Sequence, residues 1–122
     1  MSDITATIDT YLEAYGEPDP ARRSELVERV WTADGQLFDP PLDAAGREAI
    51  AALGDAVQNH YPGHRFHRVS DVDAHHGFAR YQWELVAPDG TVAITGMDVA
   101  EIDEAGLRRV VGFFGDVPKR QD

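Results

Sequence analysis

The chain has 122 residues, 43% of them hydrophobic and 27% charged, which is the composition of a globular domain able to bury a core. It contains no cysteine, which excludes disulfides, thiolate nucleophiles and zinc–thiolate sites. Its 11 Lys and Arg stand against 22 Asp and Glu, and the formal charge of −11 argues against nucleic acids and anionic membranes as partners. We expect a single domain over residues 1–122.

The first half of the chain has apolar residues at helical spacing. A first amphipathic helix is predicted from Ile4 to Tyr15. Asp19-Pro20 is a capping pair for a second helix, whose inward stripe is predicted to include Trp31. A short strand over residues 36–39 follows, and a third helix is predicted after Gly46.

The second half of the chain alternates like strands, with segments rich in Gly, Pro and Asp between them. The predicted strands cover residues 64–73, 78–87, 91–102 and 107–115. Helices followed by an antiparallel meander predict an α+β domain in which three N-terminal helices pack on one face of an antiparallel sheet.

One predicted hairpin places a carboxylate on the core face of this sheet. If Asp89-Gly90 forms a two-residue turn, paired positions sum to 179, so Tyr81 opposes Asp98 and Trp83 opposes Gly96. Directly opposed residues share a face, and the face that holds Asp98 is otherwise apolar and aromatic. A carboxyl group desolvated there should have a raised pKa, and when neutral it can donate a hydrogen bond. The alternative is a buried Asp that backbone amides or a tyrosine hydroxyl satisfy, with no chemical role.

Three other residues are candidates for the same site. Asp39 ends a short strand before Pro40-Pro41, where a side chain can reach the rim of a pocket, although a turn or capping role is the alternative. Tyr11 and Tyr15 lie on the buried stripe of the first helix. Aromatic residues at that spacing are more often core than catalytic, but a buried hydroxyl needs a partner.

Motifs for metals and cofactors are absent from the sequence. His60, His64 and His67 have no recognised ligand spacing, and Pro62-Gly63 breaks the helix between the first two. No nucleophile elbow, phosphate loop or dinucleotide fingerprint is present. We expect neither a metal nor a cofactor. The polar N-terminal segment lacks the features of a signal peptide, and no apolar run approaches the ~20 residues of a membrane span, which predicts a cytoplasmic protein.

The opposite face of the predicted sheet is partly apolar. Thr95, Met97 and Val99 lie on it, and Val110 and Phe114 are predicted to extend it. An apolar sheet face needs a cover, and a second copy of the chain is the simplest one. We therefore expect a homodimer through this outer face.

Three segments, TYLEAYGEPD, VWTADGQLFDPPLDAAGREAIAAL and MDVAEIDEAGLRRVVGFFG, resemble the NTF2-like superfamily, in particular its SnoaL-like and ketosteroid-isomerase-like branch. The resemblance covers nearly the whole chain. Its most specific features are the GREAI stretch after a strand ending in Asp-Pro and the late DVAEIDEAG turn. It implies an NTF2-like cone, in which three N-terminal helices pack on a curved antiparallel sheet that encloses an apolar pocket.

Carried over residue by residue, the ketosteroid isomerase pattern implies a set of site residues. Asp39, in LFDP, matches the general base, and Asp98, in MDVAEIDEAG, matches the protonated aspartic acid of the oxyanion hole. Tyr11 matches the oxyanion-hole tyrosine if a short insertion separates the first two helices, and Tyr15 is the possible substitute. The expected substrate-binding residues are Tyr15, Trp31, Leu53, Phe66, Tyr81, Trp83, Val111 and Phe113.

The resemblance implies a cofactor-free enzyme acting on a small apolar carbonyl compound, by isomerisation or by an aldol-type cyclisation as in SnoaL-like polyketide cyclases. Asp39 would transfer the proton, while Tyr11 and Asp98 stabilise the enolate, as in ketosteroid isomerase itself. Epoxide hydrolysis is a weaker alternative, because Arg80 falls on the opposite face from Asp98. A non-catalytic small-molecule-binding or dimerisation module of the same fold is the main alternative.

Overall fold

The structure, a computed structural model, describes residues 3–121. Three helices and seven strands follow one another along this part of the chain. They are α1 Ile4–Tyr15, α2 Pro20–Val30, β1 Trp31–Asp39, β2 Leu42–Ala45, α3 Arg47–His60, β3 Arg65–Arg68, β4 Asp73–His75, β5 Phe78–Val86, β6 Val92–Asp103 and β7 Gly106–Phe114.

The strands form one curved sheet in the order β2-β1-β7-β6-β5-β3, and β4 also pairs with β5. Neighbouring strands are antiparallel except β1 and β7, which run parallel, so the predicted antiparallel sheet is in fact mixed. The three helices pack on one face of this sheet, which does not close on itself. The predicted α+β cone is confirmed.

Capping residues explain where the first two helices begin. Asp3 accepts a hydrogen bond from the Thr5 N–H at 2.9 Å, and Asp19 accepts one from the Ala21 N–H at 3.0 Å. Pro20 occupies the first turn of α2, where its missing N–H has no cost. The predicted Asp19-Pro20 start of α2 is confirmed.

The core lies between the helices and the inner face of the sheet, because each helix turns one apolar stripe toward it. Its largest fully buried side chains are Trp31, Ile8, Leu26, Leu37, Leu85, Leu107 and Val110. Within residues 3–121, no helix is long and apolar enough to cross a membrane.

Three element boundaries differ from the predictions. Trp31 begins β1 instead of ending α2, because its backbone is extended, with φ −94° and ψ 143°. β1 is therefore longer than the predicted strand, and β2, which the sequence did not predict, pairs with the end of β1. Of the predicted strand 64–73, only residues 65–68 form a strand, β3, and β4 begins at its last residue.

The β5–β6 hairpin has the predicted register but a longer turn. The Ala87 N–H donates to the Thr91 carbonyl at 2.8 Å, so the turn contains the three residues between them rather than two. A β-bulge then leaves Ala93 as an extra residue on β6, which moves the pairing back by one position. Tyr81 opposes Asp98 as predicted, and Asp98 lies on the core face.

Candidate active site

A cavity of about 300 Å³ opens on the inner face of the sheet. Its walls come from the ends of α1 and α3, from the β1–β2 connection, and from strands β3, β5, β6 and β7. The lining residues are Tyr15, Asp39, Pro40, Pro41, Leu42, Ala56, Val57, His60, Tyr61, Phe66, Trp83, Leu85, Ile94 and Phe114. This mostly apolar volume lies at the lower end of the range for ligand pockets and fits a small molecule.

Asp39 is the carboxylate in this lining. It is the last residue of β1 and is 6% exposed. Its Oδ2 accepts a hydrogen bond from the Tyr15 hydroxyl at 2.9 Å, while its Oδ1 is buried without a hydrogen-bond partner among the described residues. Tyr15 is the last residue of α1, so the length of that helix brings the hydroxyl to Asp39. One neutral donor therefore holds this carboxylate.

Asp98 lies deeper, in the middle of β6. It is 2% exposed and does not line the cavity. The Tyr81 hydroxyl donates to its Oδ2 at 2.8 Å, and the Trp83 Nε1–H donates to its Oδ1 at 2.9 Å. Trp83 also lines the cavity, so the same side chain contacts both the cavity and the Asp98 carboxyl.

Gly112 allows the two carboxyl groups to approach each other. It lies on β7, between β1 and β6, and pairs directly with Asp98. A Cβ on Gly112 would overlap Oδ1 of Asp39 and would lie 3.0 Å from Oδ1 of Asp98. The two oxygens thus share the space that a side chain would fill, one from each neighbouring strand.

Burial changes the ionisation of this pair. It raises the pKa of Asp39 from 3.8 to about 6, and the hydrogen bond from Tyr15 offsets part of that rise. It raises the pKa of Asp98 to about 7, where the charge of Asp39 adds to the rise and the hydrogen bonds from Tyr81 and Trp83 oppose it. Of the two carboxyl groups, Asp98 therefore keeps its proton to the higher pH, and Asp39 ionises first.

An aromatic wall bounds one side of the cavity; it consists of Tyr15, Phe66, Trp83 and Phe114. Tyr15 and Phe66 stack with centroids 4.8 Å apart, and Phe66 meets Trp83 edge to face at 5.3 Å. Phe114 meets the other side of Trp83 edge to face at 5.8 Å. A Cβ on Gly96 would overlap the indole, so this glycine lets Trp83 lie against β6.

This fold is shared with proteins of known structure. No model of a known family and no curated protein matches the chain. A solved structure does match: a candidate isomerase of the SnoaL-like family from Agrobacterium tumefaciens is 35% identical, with 91% of this chain and 96% of that chain covered and a TM-score of 0.84. The chain belongs to the SnoaL-like family. The resemblance stated from the sequence is confirmed.

Two further solved structures share the fold at lower identity. A candidate ketosteroid isomerase from Kribbella flavida is 16% identical, with 97% of this chain and 82% of that chain covered and a TM-score of 0.67. A candidate SnoaL-like polyketide cyclase from Jannaschia is 15% identical, with 93% and 89% covered and a TM-score of 0.66. At these identities the likeness shows the fold alone.

Four of the site residues implied by the SnoaL-like resemblance lie together in the cavity lining, namely Asp39, Tyr15, Phe66 and Trp83. Tyr15 contacts Asp39, whereas Tyr11, one helical turn earlier, is buried behind the cavity. The Tyr11 ring packs on Tyr15 at 5.9 Å and on Trp31 at 5.7 Å. Between the two tyrosines, the structure therefore places Tyr15 in the site.

Three of the predicted lining residues lie behind the wall of the cavity instead. Trp31 is fully buried in the core beside α1, and Tyr81 is buried beside Asp98. Leu53 is half-buried against the core, about one turn of α3 before the residues that reach the cavity. The prediction that these three residues line the pocket is wrong, because the inner face is deeper than the cavity and has a second layer of side chains.

Val111 and Phe113 lie on the outer face of the sheet, so their predicted place in the pocket is also wrong. The cause is a β-bulge at Arg108, the extra residue that β7 carries between two of its pairs with β6. It reverses the alternation along the rest of β7. Val110 and Phe114, which the sequence predicted on the outer face, point inward, while Phe113 is 56% exposed.

Sequence reasoning missed several lining residues. Ala56, Val57 and His60 lie near the end of α3 and Tyr61 directly follows it, and their helical spacing could have identified them as lining residues. Leu85 and Ile94 oppose each other across the β5–β6 hairpin, so the predicted register had already placed them on the inner face. No sequence pattern indicated Pro40 and Pro41 of the β1–β2 connection or Leu42, the first residue of β2, as lining residues.

His60 and Tyr61 are the other polar side chains of the lining, apart from Tyr15, Asp39 and Trp83. His60 Nδ1 lies 2.9 Å from the Ala56 carbonyl, and because a carbonyl can only accept, Nδ1 carries a proton. Within residues 3–121, no group of three or more His, Asp or Glu side chains could hold a metal ion.

Proposed function

We propose that the chain is a cofactor-free enzyme that moves a proton at a carbon beside the carbonyl group of a small apolar compound. The reaction is an isomerisation or an aldol-type cyclisation. Asp39 takes the proton, the electrons of the broken C–H bond enter the enolate, and negative charge develops on the carbonyl oxygen. The names of the structural neighbours, a candidate isomerase and a candidate polyketide cyclase, are consistent with this chemistry.

The observation that carries the proposal is the state of Asp39. It is a buried carboxylate in the wall of an apolar cavity, and burial raises its pKa to about 6. A general base works best when its pKa lies near the operating pH, because it is then both ionised and basic. Asp98 supports this role through Asp39: a proton held on Asp98 leaves the charge on Asp39.

The enolate oxygen needs hydrogen-bond donors inside the cavity. Tyr11 and Asp98 do not line the cavity, so in this proposal they do not touch the substrate. The hydroxyl of Tyr15 is engaged by Asp39. We therefore assign donation to the enolate oxygen to Tyr61, through its hydroxyl.

Hydrogen exchange tests the base. The protein is incubated in deuterated buffer near neutral pH with a panel of small cyclic ketones, and loss of the α-proton signal is followed by NMR. We expect exchange above the buffer rate, falling roughly 10²- to 10⁴-fold in Asp39→Asn. Asp43→Asn is the matched control, because it removes an exposed carboxylate on β2. Equal exchange in wild type and Asp39→Asn would contradict the proposal.

The donors are tested with 2-naphthol, whose ionised oxygen resembles an enolate and whose protonation state is read by absorbance. Wild type should favour the naphtholate form, and Tyr61→Phe should weaken that preference by about tenfold or more. Tyr11→Phe should leave it unchanged. A preference lost in Tyr11→Phe and kept in Tyr61→Phe would return the role to the tyrosine that the sequence suggested.

A non-catalytic small-molecule-binding role is the second candidate, and one observation favours it. Both oxygens of Asp98 already have donors, from Tyr81 and Trp83, so the oxyanion hole of the isomerase pattern is not available to a ligand. Ligand binding without α-proton exchange, across the same ketone panel, would support this role over the enzymatic one.

We also propose that the chain forms a homodimer through the outer apolar patch, which consists of Phe38, Met97, Val99, Val111 and Phe113. These residues are contiguous, because Met97 pairs with Phe113, and Val111 pairs with both Val99 and Phe38. Phe113→Asp should convert a dimer into a monomer in sedimentation analysis without changing the circular dichroism spectrum. A wild-type monomer at high micromolar concentration would refute the dimer.

A cytoplasmic location stays a prediction from the sequence.

A further inference from the structure

The cavity combines one ionisable carboxylate with a high density of aromatic rings. The aromatic wall contributes four rings, and Tyr61 adds a fifth at the end of α3. Neither Lys nor Arg lines the cavity. The faces of aromatic rings carry partial negative charge and attract cations. The cavity therefore has an electrostatic preference in addition to its apolar character.

The two inner carboxyl groups have no cationic partner among residues 3–121. Most arginines of this part of the chain pair with Asp and Glu side chains elsewhere, such as Arg68 with Asp9 at 2.7 Å. Asp39 and Asp98 receive hydrogen bonds from neutral side chains instead. A buried carboxylate without a counter-ion is costly, and a bound cation would remove part of that cost.

We propose that this cavity binds small organic ammonium ions, with the cationic group against the aromatic wall and Asp39 as its counter-ion. The proposal concerns the ligand class of the cavity and rests on the proposed function only in its use of an ionised Asp39. Alkylammonium groups suit the cavity because their alkyl groups are weakly hydrated and can transfer from water into apolar surroundings. The aromatic rings and the Asp39 carboxylate balance their positive charge.

Other ligand classes fit these features less well. A divalent metal ion needs several oxygen or nitrogen ligands, and the lining offers Asp39 and His60. An anion would meet the Asp39 carboxylate in a protein with a formal charge of −11. A neutral apolar molecule fits the volume but gains nothing from the negative charge.

A pair of ligands with the same shape tests the proposal. Choline carries a trimethylammonium group, and 3,3-dimethylbutan-1-ol replaces its nitrogen with carbon, so the two differ in charge alone. Their dissociation constants are measured by calorimetry or ligand-observed NMR at pH 8, where Asp39 is ionised. We expect choline to bind about tenfold or more tightly than the neutral alcohol.

Three variants separate the contributions. Asp39→Asn should abolish the preference for choline, and Asp43→Asn, an exposed carboxylate on β2, should keep it. Phe114→Leu preserves apolar volume at a half-exposed position and should weaken choline binding more than alcohol binding. If Asp39→Asn fails to fold, the Phe114→Leu comparison still tests the aromatic contribution.

Equal or weaker binding of choline relative to the alcohol would overturn the ammonium proposal. So would a preference that Asp39→Asn retains, since the charge would then act outside the cavity. Ketone α-proton exchange is measured separately, so the two proposals can fail independently. Exchange without a charge preference refutes the ammonium site alone, and a charge preference without exchange refutes the catalytic function alone.

Discussion

The two faces of the sheet hold their carboxyl groups in opposite ways. On the outer face, Asp73 pairs with the Arg80 guanidinium at 2.8 Å, and both side chains are exposed. On the inner face, Asp98 is buried and accepts hydrogen bonds from Tyr81 and Trp83. Arg80 and Tyr81 are adjacent in β5 and lie on opposite faces. Arg80 is a solvated cation on the outer face, and Tyr81 is a buried neutral donor on the inner face.

The contrast explains why chemistry is expected on one face alone. In a solvated ion pair, water and the cation stabilise the charged form of the carboxyl group. On the inner face, neutral donors only partly offset the cost of burying that charged form. The pKa values of Asp39 and Asp98 therefore stay raised, to about 6 and about 7. These raised pKa values lower the stability of the fold near neutral pH. They also let the two carboxyl groups exchange protons in that pH range.

The largest effect should come from removing the ionisation of Asp98. Its folded pKa exceeds the unfolded value, so the native state binds more protons between about pH 4 and 7, and stability falls as the pH rises through that window. Asp98→Asn resembles the protonated form. We expect its free energy of unfolding to fall less than that of wild type from pH 4 to 8, by roughly 2–4 kcal/mol. Urea denaturation at several pH values measures this difference, and parallel curves would contradict it.

Gly112→Ala should be the next most severe change. The new Cβ would overlap Asp39 Oδ1 and crowd Asp98, so one carboxyl group must move. We expect a loss of about 1–3 kcal/mol in the free energy of unfolding, together with reduced α-proton exchange. An unchanged stability would show that the two carboxyl groups are not held together at Gly112.

The register of β5 and β6, and with it the position of Asp98, was predicted correctly from an assumed two-residue turn. The turn was mispredicted by one residue, yet the bulge at Ala93 cancelled that error before the pairing reached Asp98. On β7 the bulge at Arg108 had no such compensation, and Val111 and Phe113 were assigned to the wrong face. Bulges arise from tertiary pairing, which no local pattern in a single sequence shows.

The candidate site could be predicted in part. Asp39 followed from the family resemblance, and its contact with Tyr15 depended on the length of α1. The distance of each inner-face side chain from the cavity was not predictable. Alternation along a strand shows on which face a side chain lies, but not how far that side chain is from a cavity. Tyr81 and Trp83 lie on the same face of β5, but of the two only Trp83 lines the cavity.

Tyr15→Phe should have a smaller effect, confined to the Asp39 carboxyl group on the inner face. It keeps the stacked ring but removes the donor to Asp39, whose hydrogen bond lowers the pKa of that carboxyl. We expect the pKa of Asp39 to rise above about 6, and stability at pH 8 to fall by about 1–2 kcal/mol. Carbon-13 NMR of the carboxyl group measures the pKa. Tyr11→Phe is the matched control, and an equal shift in that variant would contradict the assignment of Tyr15.

The smallest effect is expected from Asp73→Ala on the outer face. The variant removes a carboxylate that lies 2.8 Å from Arg80, which is as short as the hydrogen bond from Tyr81 to Asp98. Distance alone would therefore predict similar effects for the two faces. Because both outer side chains are solvated, we expect a change in the free energy of unfolding within about 0.5 kcal/mol. A larger change, measured by urea denaturation beside Asp98→Asn, would show that solvation does not distinguish the two faces.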